Sequence, residues 1–171
     1  MNVLLVTGSR SLSNNETAYD AWLELFPSLA KHAARIVAGD AVGPDRWAIR
    51  HAANNGTGFE EWNLDGCIYS SRSGPSHWWS ASKPRPSSNR WPLERNKAMV
   101  SRCNALRDLE ALRPLYYDGP GYETRVLCVG FVDPQSRTHG TDHTLRLARQ
   151  AGIWTARYVW QGESFEEQSN G

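Results

Sequence analysis

Three short segments carry residue types that hold an anion: Gly8-Ser9-Arg10, Gly39-Asp40-Ala41-Val42-Gly43-Pro44-Asp45 and Arg137-Thr138-His139-Gly140-Thr141. Each sets glycine, hydroxyl or basic groups between an apolar run and a helix-forming stretch. Backbone N–H groups left open at such a junction can grip a phosphate. Ser9 and Arg10 suit phosphate directly, Arg10 through the bidentate fork of its guanidinium. Asp40, directly after a strand end, can accept ribose hydroxyls. Asp45 can do the same, or can simply stand at the positive end of a helix dipole. Gly140 and Thr141 would offer N–H and hydroxyl groups to phosphate at a helix start, a role that coexists with N-capping by Thr141. Arg95 can clamp phosphate or polarise a leaving group, or can pair with Glu94 or Asp45. Asn96 can hydrogen-bond base or ribose, or tie loops together. Arg137 and His139 read as solvated loop residues.

Other chemistries are excluded by what the chain lacks. Neither GxGxxG nor GxxxxGK[ST] occurs, so the ordinary dinucleotide and P-loop sites are not expected. His32, His51, His77 and His143 show no metal-ligand spacing with cysteines or carboxylates, so neither a metal nor a cofactor is expected. Cys67, Cys103 and Cys128 form no CxxC and read as the reduced thiols of a cytoplasmic protein. No apolar run approaches the roughly 20 residues of a membrane span, and the first residues lack a secretory signal pattern. Nineteen Lys and Arg against 18 Asp and Glu leave a net charge of +1, which counts against a nucleic-acid binder.

The elements that must position these residues follow from apolar patterning. Val3 to Val6, Arg35 to Gly39 and Arg125 to Phe131 read as buried strands, with Phe59 to Trp62 and Ile153 to Val159 completing the set. Ser13 and Glu16 have capping-box spacing before a helix carrying Ala18, Trp22, Leu25 and Leu29, which Pro27 interrupts or restarts. Gly43-Pro44-Asp45 opens a second helix. A third runs from about Leu93 toward Arg113 with Met99, Cys103 and Leu106 on one stripe, and a fourth begins at Thr141-Asp142. Strands alternating with helices predict an α/β chain, a three-layer Rossmann-like fold with a mostly parallel sheet and helices on both faces. Residues 1–161 form one domain and 162–171 a polar tail. Residues 63–92, rich in Ser, Pro and Trp and locally basic, read as a long functional loop near the site mouth. Of the eight Trp, Trp47 and Trp62 suit a core, whereas Trp78 and Trp79 in that loop suit stacking on a base.

Taken together, the spacing of these motifs with Arg95-Asn96-Lys97-Ala98-Met99 resembles the SLOG superfamily of Smf/DprA- and LOG-related proteins. It is most similar to the YspA/YpsA-related branch. That pattern is a first strand ending GSR, a second ending GDAxGxD, an RNxxM helix start and a strand followed by GTxxT. Here these are Gly8 to Arg10, Gly39 to Asp45, Arg95 to Met99, and Gly140 to Thr144, the resemblance covering about residues 2–159. It implies binding of a nucleotide or nucleotide-derived small molecule by Gly8, Ser9, Arg10, Gly39, Asp40, Asp45, Arg95, Asn96, Gly140, Thr141 and Thr144. It also leaves room for a homo-oligomer. In the LOG enzymes an Arg and a Glu support cleavage of an N-glycosidic bond. Arg95 falls on the Arg, but Thr144 holds the Glu position and cannot serve as the carboxylate. The expected function is therefore a sensor or ligand-binding module. The alternatives are a LOG-like enzyme with Arg95 in catalysis, and a DprA-like nucleic-acid binder.

Overall fold

The computed structural model describes residues 2–71, 73–79, 87, 90–111, 125–136 and 139–168. Strand β1 (Asn2–Gly8) leads through a 3-10 turn (Arg10–Asn14) into α1 (Glu16–Ala30), then β2 (Ala33–Gly39), α2 (Pro44–Asn54) and β3 (Gly58–Trp62). Two short strands, β4 (Cys67–Ser70) and β5 (Ser76–His77), precede α3 (Trp91–Ala111). The chain ends through β6 (Val126–Val132), α4 (His139–Gln150), β7 (Trp154–Trp160) and β8 (Phe165–Gln168). The described strands form one sheet in the order β5-β4-β3-β2-β1-β6-β7-β8. Its five central members are parallel, while at the edges β4 pairs antiparallel with β3, β5 with β4 and β8 with β7.

Alternation along the central strands explains why β1, β2 and β6 read as near-continuous apolar runs. Leu4, Val6, Ile36, Ala38 and Phe131 join one core cluster with Trp22 and Phe26 of α1 and Trp47 and Ala48 of α2. Val3, Leu5, Val37 and Cys128 join a second with Met99 and Cys103 of α3 and Leu145 and Ala148 of α4. Successive strand side chains point to opposite faces, so a strand serving two clusters must be apolar at every position.

Several expectations change. The segment 63–92 is not one loop: Ile68 and Tyr69 pair with Trp62 and Glu61 of β3, so β4 and β5 widen the sheet. Trp78 is half-buried, its indole N–H donating to the Asn63 carbonyl at 2.9 Å, with its ring 4.7 Å from that of Trp91. Trp79 closes on Trp91 at 4.9 Å. These rings brace the start of α3 instead of standing open to stack a base. Of the segment's basic residues, Arg72, Lys83 and Arg85 lie outside the described residues. The polar tail expected at 162–171 contains β8, because Phe165 packs on Phe131 and Trp160 while its neighbours face solvent. One apolar residue among four is too thin a pattern to betray a strand.

Helix ends also shift. Asn15, not Ser13, caps α1, its side chain accepting from the Ala18 N–H at 3.0 Å. Pro27 lies inside α1, which continues for one more turn because Phe26 and Ala30 stay buried. The fourth helix starts at His139, placing Thr141 inside its first turn and not at its cap. No described helix is long and apolar enough to cross a membrane, and no described group of His, Cys, Asp and Glu could hold a metal ion.

Candidate functional site

The chain runs outward from β1 through β2 to β3, then returns across the sheet to β6 on the other side of β1. The loops leaving β1 and β6 therefore diverge, opening a crevice at the carboxyl ends of the strands, where sheets of this kind bind ligands. A cavity of about 390 Å³ lies there. It is lined by Gly8, Ser9, Arg10 and Ser11 after β1, by Asp45 of α2, and by Arg95 and Asn96 of α3. Ser136, His139, Gly140 and Thr141 close the far wall. A larger cavity of about 740 Å³ sits at the amino ends of the strands around Leu29, His32 and Trp154. None of the candidate site residues reaches it. The smaller cavity is the candidate because convergent polar groups, not size, define a site.

Close backbone approaches set the walls. Gly8 abuts Pro44 so tightly that a Cβ there would stand 2.5 Å from the ring, which seats the first turn of α2 against the end of β1. Gly43 turns into α2 at a φ of 92°, a backbone conformation open chiefly to glycine. The Ser9 N–H donates to the Phe131 carbonyl at 2.8 Å, and the Ser9 hydroxyl accepts from the Asp133 N–H at 3.1 Å. Those bonds tie the β1 and β6 loops together. Across the cavity the Asn96 amide donates to the Gly140 carbonyl at 3.3 Å, docking the start of α4 on α3. Asn96 thus ties elements together while lining the site.

The floor is a charged cluster. The Arg95 guanidinium, 4 % exposed, pairs with the Asp40 carboxylate. Arg95 also donates to the Asn96 side-chain oxygen at 3.2 and 3.3 Å. Asp40 Oδ2 accepts the Leu64 N–H at 3.1 Å. Asp40 is consequently occupied behind the cavity and does not line it, contrary to its expected role on ribose. Arg95 does line it, but its partner is Asp40, not Glu94 or Asp45. A Cβ on Gly39 would come within 2.7 Å of both Arg95 Nη2 and Asp45 Oδ2, so only a glycine lets the two groups converge over the end of β2.

Asp45 is the odd member. It is 2 % exposed, and Oδ1 has no hydrogen-bond partner. Burial pushes its pKa from 3.8 up to about 6, against the lowering pull of Arg95 and of the Gly8 and Gly39 backbone amides. Asp45 is the one carboxylate among the described residues on the cavity wall.

Three further residues fall differently from expectation. Thr144 is fully buried, its hydroxyl donating to the Gly140 carbonyl at 2.9 Å, and it does not line the cavity. His139, read as a solvated loop residue, is exposed in the first turn of α4 on the cavity wall. Arg137 lies outside the described residues. Sequence reasoning missed Ser11, Ser136, Pro92 and Leu93, all on the wall. The Ser11 hydroxyl directly after Arg10 was a legible signal, whereas nothing local marks Pro92 and Leu93. Set against models of protein families, curated proteins and solved structures, the chain matches none.

Proposed function

We propose that the chain binds a nucleotide or nucleotide-derived small molecule in the cavity at the carboxyl ends of β1 and β6, as a sensor or ligand-binding module. The observation that carries this reading is the wall of donors around one cavity: Ser9, Arg10 and Ser11 facing His139, Gly140 and Thr141. The N–H groups of the first turn of a helix have no intrahelical partners, and the helix dipole adds a partial positive charge there. An exposed arginine opposite that turn completes an anion cradle. We read the whole as a three-layer Rossmann-like domain of SLOG type, in keeping with the GSR, GDAxGxD and RNxxM motifs meeting at one end of the sheet. A cytoplasmic location and self-association belong to the same proposal.

Thr144 speaks against the LOG-like enzyme, since its hydroxyl is spent within α4. The net charge of +1 speaks against a nucleic-acid partner. Native mass spectrometry of the purified chain, followed by titration with AMP, tests the reading. A co-purifying or titratable nucleotide is expected. Absence of both, with the fold intact, refutes it.

A further inference from the structure

The donor wall accounts for an anion and leaves the floor unexplained. Arg95 is neutralised by Asp40 and has acceptors on all three guanidinium nitrogens, among them Asp40, Asn96 and the Trp62 carbonyl. It is poorly placed to take a phosphate as well. Asp45 presents the opposite chemistry: a buried carboxylate on the cavity wall with one oxygen that no described donor satisfies. Leaving such an oxygen unpaired is costly to the fold. Its position as an acidic residue in the first turn of α2 does not require burial, because a helix-start carboxylate can do its electrostatic work in solvent.

A carboxylate only accepts, so its complement is a hydrogen-bond donor, and on a ligand that already carries a phosphate the sugar hydroxyls supply such donors. The two sides of the cavity then demand a ligand with acceptors at one end and donors at the other. A volume of about 390 Å³ is near the lower end of small-molecule sites, which fits one phosphorylated sugar or a mononucleotide better than a dinucleotide. We propose that Asp45 selects the ligand by accepting hydrogen bonds from the free hydroxyls of a phosphorylated ribose, whose phosphate lies against Arg10 and Thr141. The inference rests on the reading of this cavity as an anion-binding site and adds its selectivity.

Asp45 faces charged or titratable groups from each neighbouring element: Asp40 at the end of β2, Arg95 of α3, and Arg10 and His139 across the cavity. Glu61 of β3 and Arg46 of α2 stand farther out around Asp40. A ligand's phosphate also titrates near pH 6. Comparing two ligands with the same phosphate cancels both influences.

Calorimetric titration with AMP, 2′,3′-dideoxy-AMP, ribose 5-phosphate and inorganic phosphate tests the proposal on the full chain. At pH 7.5, AMP should bind about ten- to a hundredfold more tightly than dideoxy-AMP, the loss expected for hydrogen bonds to a charged acceptor. Ribose 5-phosphate should bind, and inorganic phosphate should be weaker. The AMP to dideoxy-AMP ratio should shrink at pH 5, where Asp45 carries its proton. In Asp45→Asn it should be smaller than in wild type at pH 7.5 and the same at both pH values, since the amide oxygen accepts without charge and does not titrate. The wild-type pH comparison stands alone if the variant does not fold. Equal binding of AMP and dideoxy-AMP overturns the inference while leaving the anion site intact. Binding of AMP without ribose 5-phosphate also overturns it, assigning the donor to the base. Failure of every phosphate compound to bind removes the anion site itself, and the inference with it.

Discussion

Replacing Asp45 with Asn keeps the side-chain shape and removes its titration, which isolates the cost of burying this carboxylate. In the folded chain the pKa is raised from 3.8 to about 6, mainly by burial. Between those values the folded state holds a proton that the unfolded chain has released. Stability from this group is therefore greatest below pH 3.8 and is lost as pH rises through 6. The full difference amounts to about 3 kcal/mol at 1.36 kcal/mol per unit. Linkage places roughly 1–2 kcal/mol of it between pH 7.5 and pH 5. Burial also raises the Glu61 pKa and lowers those of His51 and His143. They are shared by both proteins and subtract out.

Urea unfolding of wild type and Asp45→Asn at pH 7.5 and pH 5 measures the effect. Going to pH 5, wild type should gain about 1–2 kcal/mol relative to the variant. The absolute gap at pH 7.5 carries less meaning, because the Asn amide loses the Arg95 attraction while escaping the burial penalty. Parallel pH profiles, or a wild type that weakens relative to the variant at pH 5, would show that Asp45 is solvated and would refute the reasoning.

Arg10→Ala should weaken AMP binding by about ten- to a hundredfold with little change in melting temperature, since Arg10 is exposed; a sharp fall in melting with unchanged affinity would make it structural. Gly39→Ala should destabilise by about 1–3 kcal/mol, as with other overpacked sites, because its Cβ would stand 2.6 Å from Arg95 Cζ in a guanidinium already pinned by Asp40 and Asn96. Unaltered urea unfolding would count against that packing. Incubation with AMP should release no adenine beyond the enzyme-free control by chromatography; release abolished by both Arg95→Ala and Asp45→Asn would establish N-glycosidic cleavage instead.

How far the fold can be read from sequence depends on how much each strand buries. β1, β2 and β6 serve core clusters on both sides, so the apolar requirement falls on every residue and the strands stand out. β4, β5 and β8 lie at or near sheet edges and bury little; the pattern of β8 is one half-buried Phe followed by three exposed residues. Their existence is decided by backbone pairing, β4 with β3, β5 with β4 and β8 with β7, an interaction that leaves little mark on composition. The Trp-rich segment misled for a related reason. Composition records that flat rings are present, but only the fold determines that Trp62, Trp78, Trp79 and Trp91 find one another.

The site shows the same division at the scale of single side chains. Glycine and hydroxyl residues at strand ends were legible because backbone geometry demands them locally. Which acid faces the cavity was not, because Asp40 and Asp45 sit five residues apart in one motif. Their fates separate when the Gly8–Pro44 contact sets α2 against β1 and turns Asp45 inward, while Asp40 swings back to Arg95 and the Leu64 amide. This exchange also relocates the positive charge. With Arg95 neutralised by Asp40, the attraction for an anion must come from Arg10 and the first turn of α4 at the rim, leaving an uncompensated acceptor below. A cavity polarised in that direction would orient the proposed ligand with its phosphate outward and its hydroxyls inward. On the proposed reading the two arginines of the site have different work: Arg10 would meet the ligand, and Arg95 holds Asp40 and Asn96 in the places that give the floor its shape.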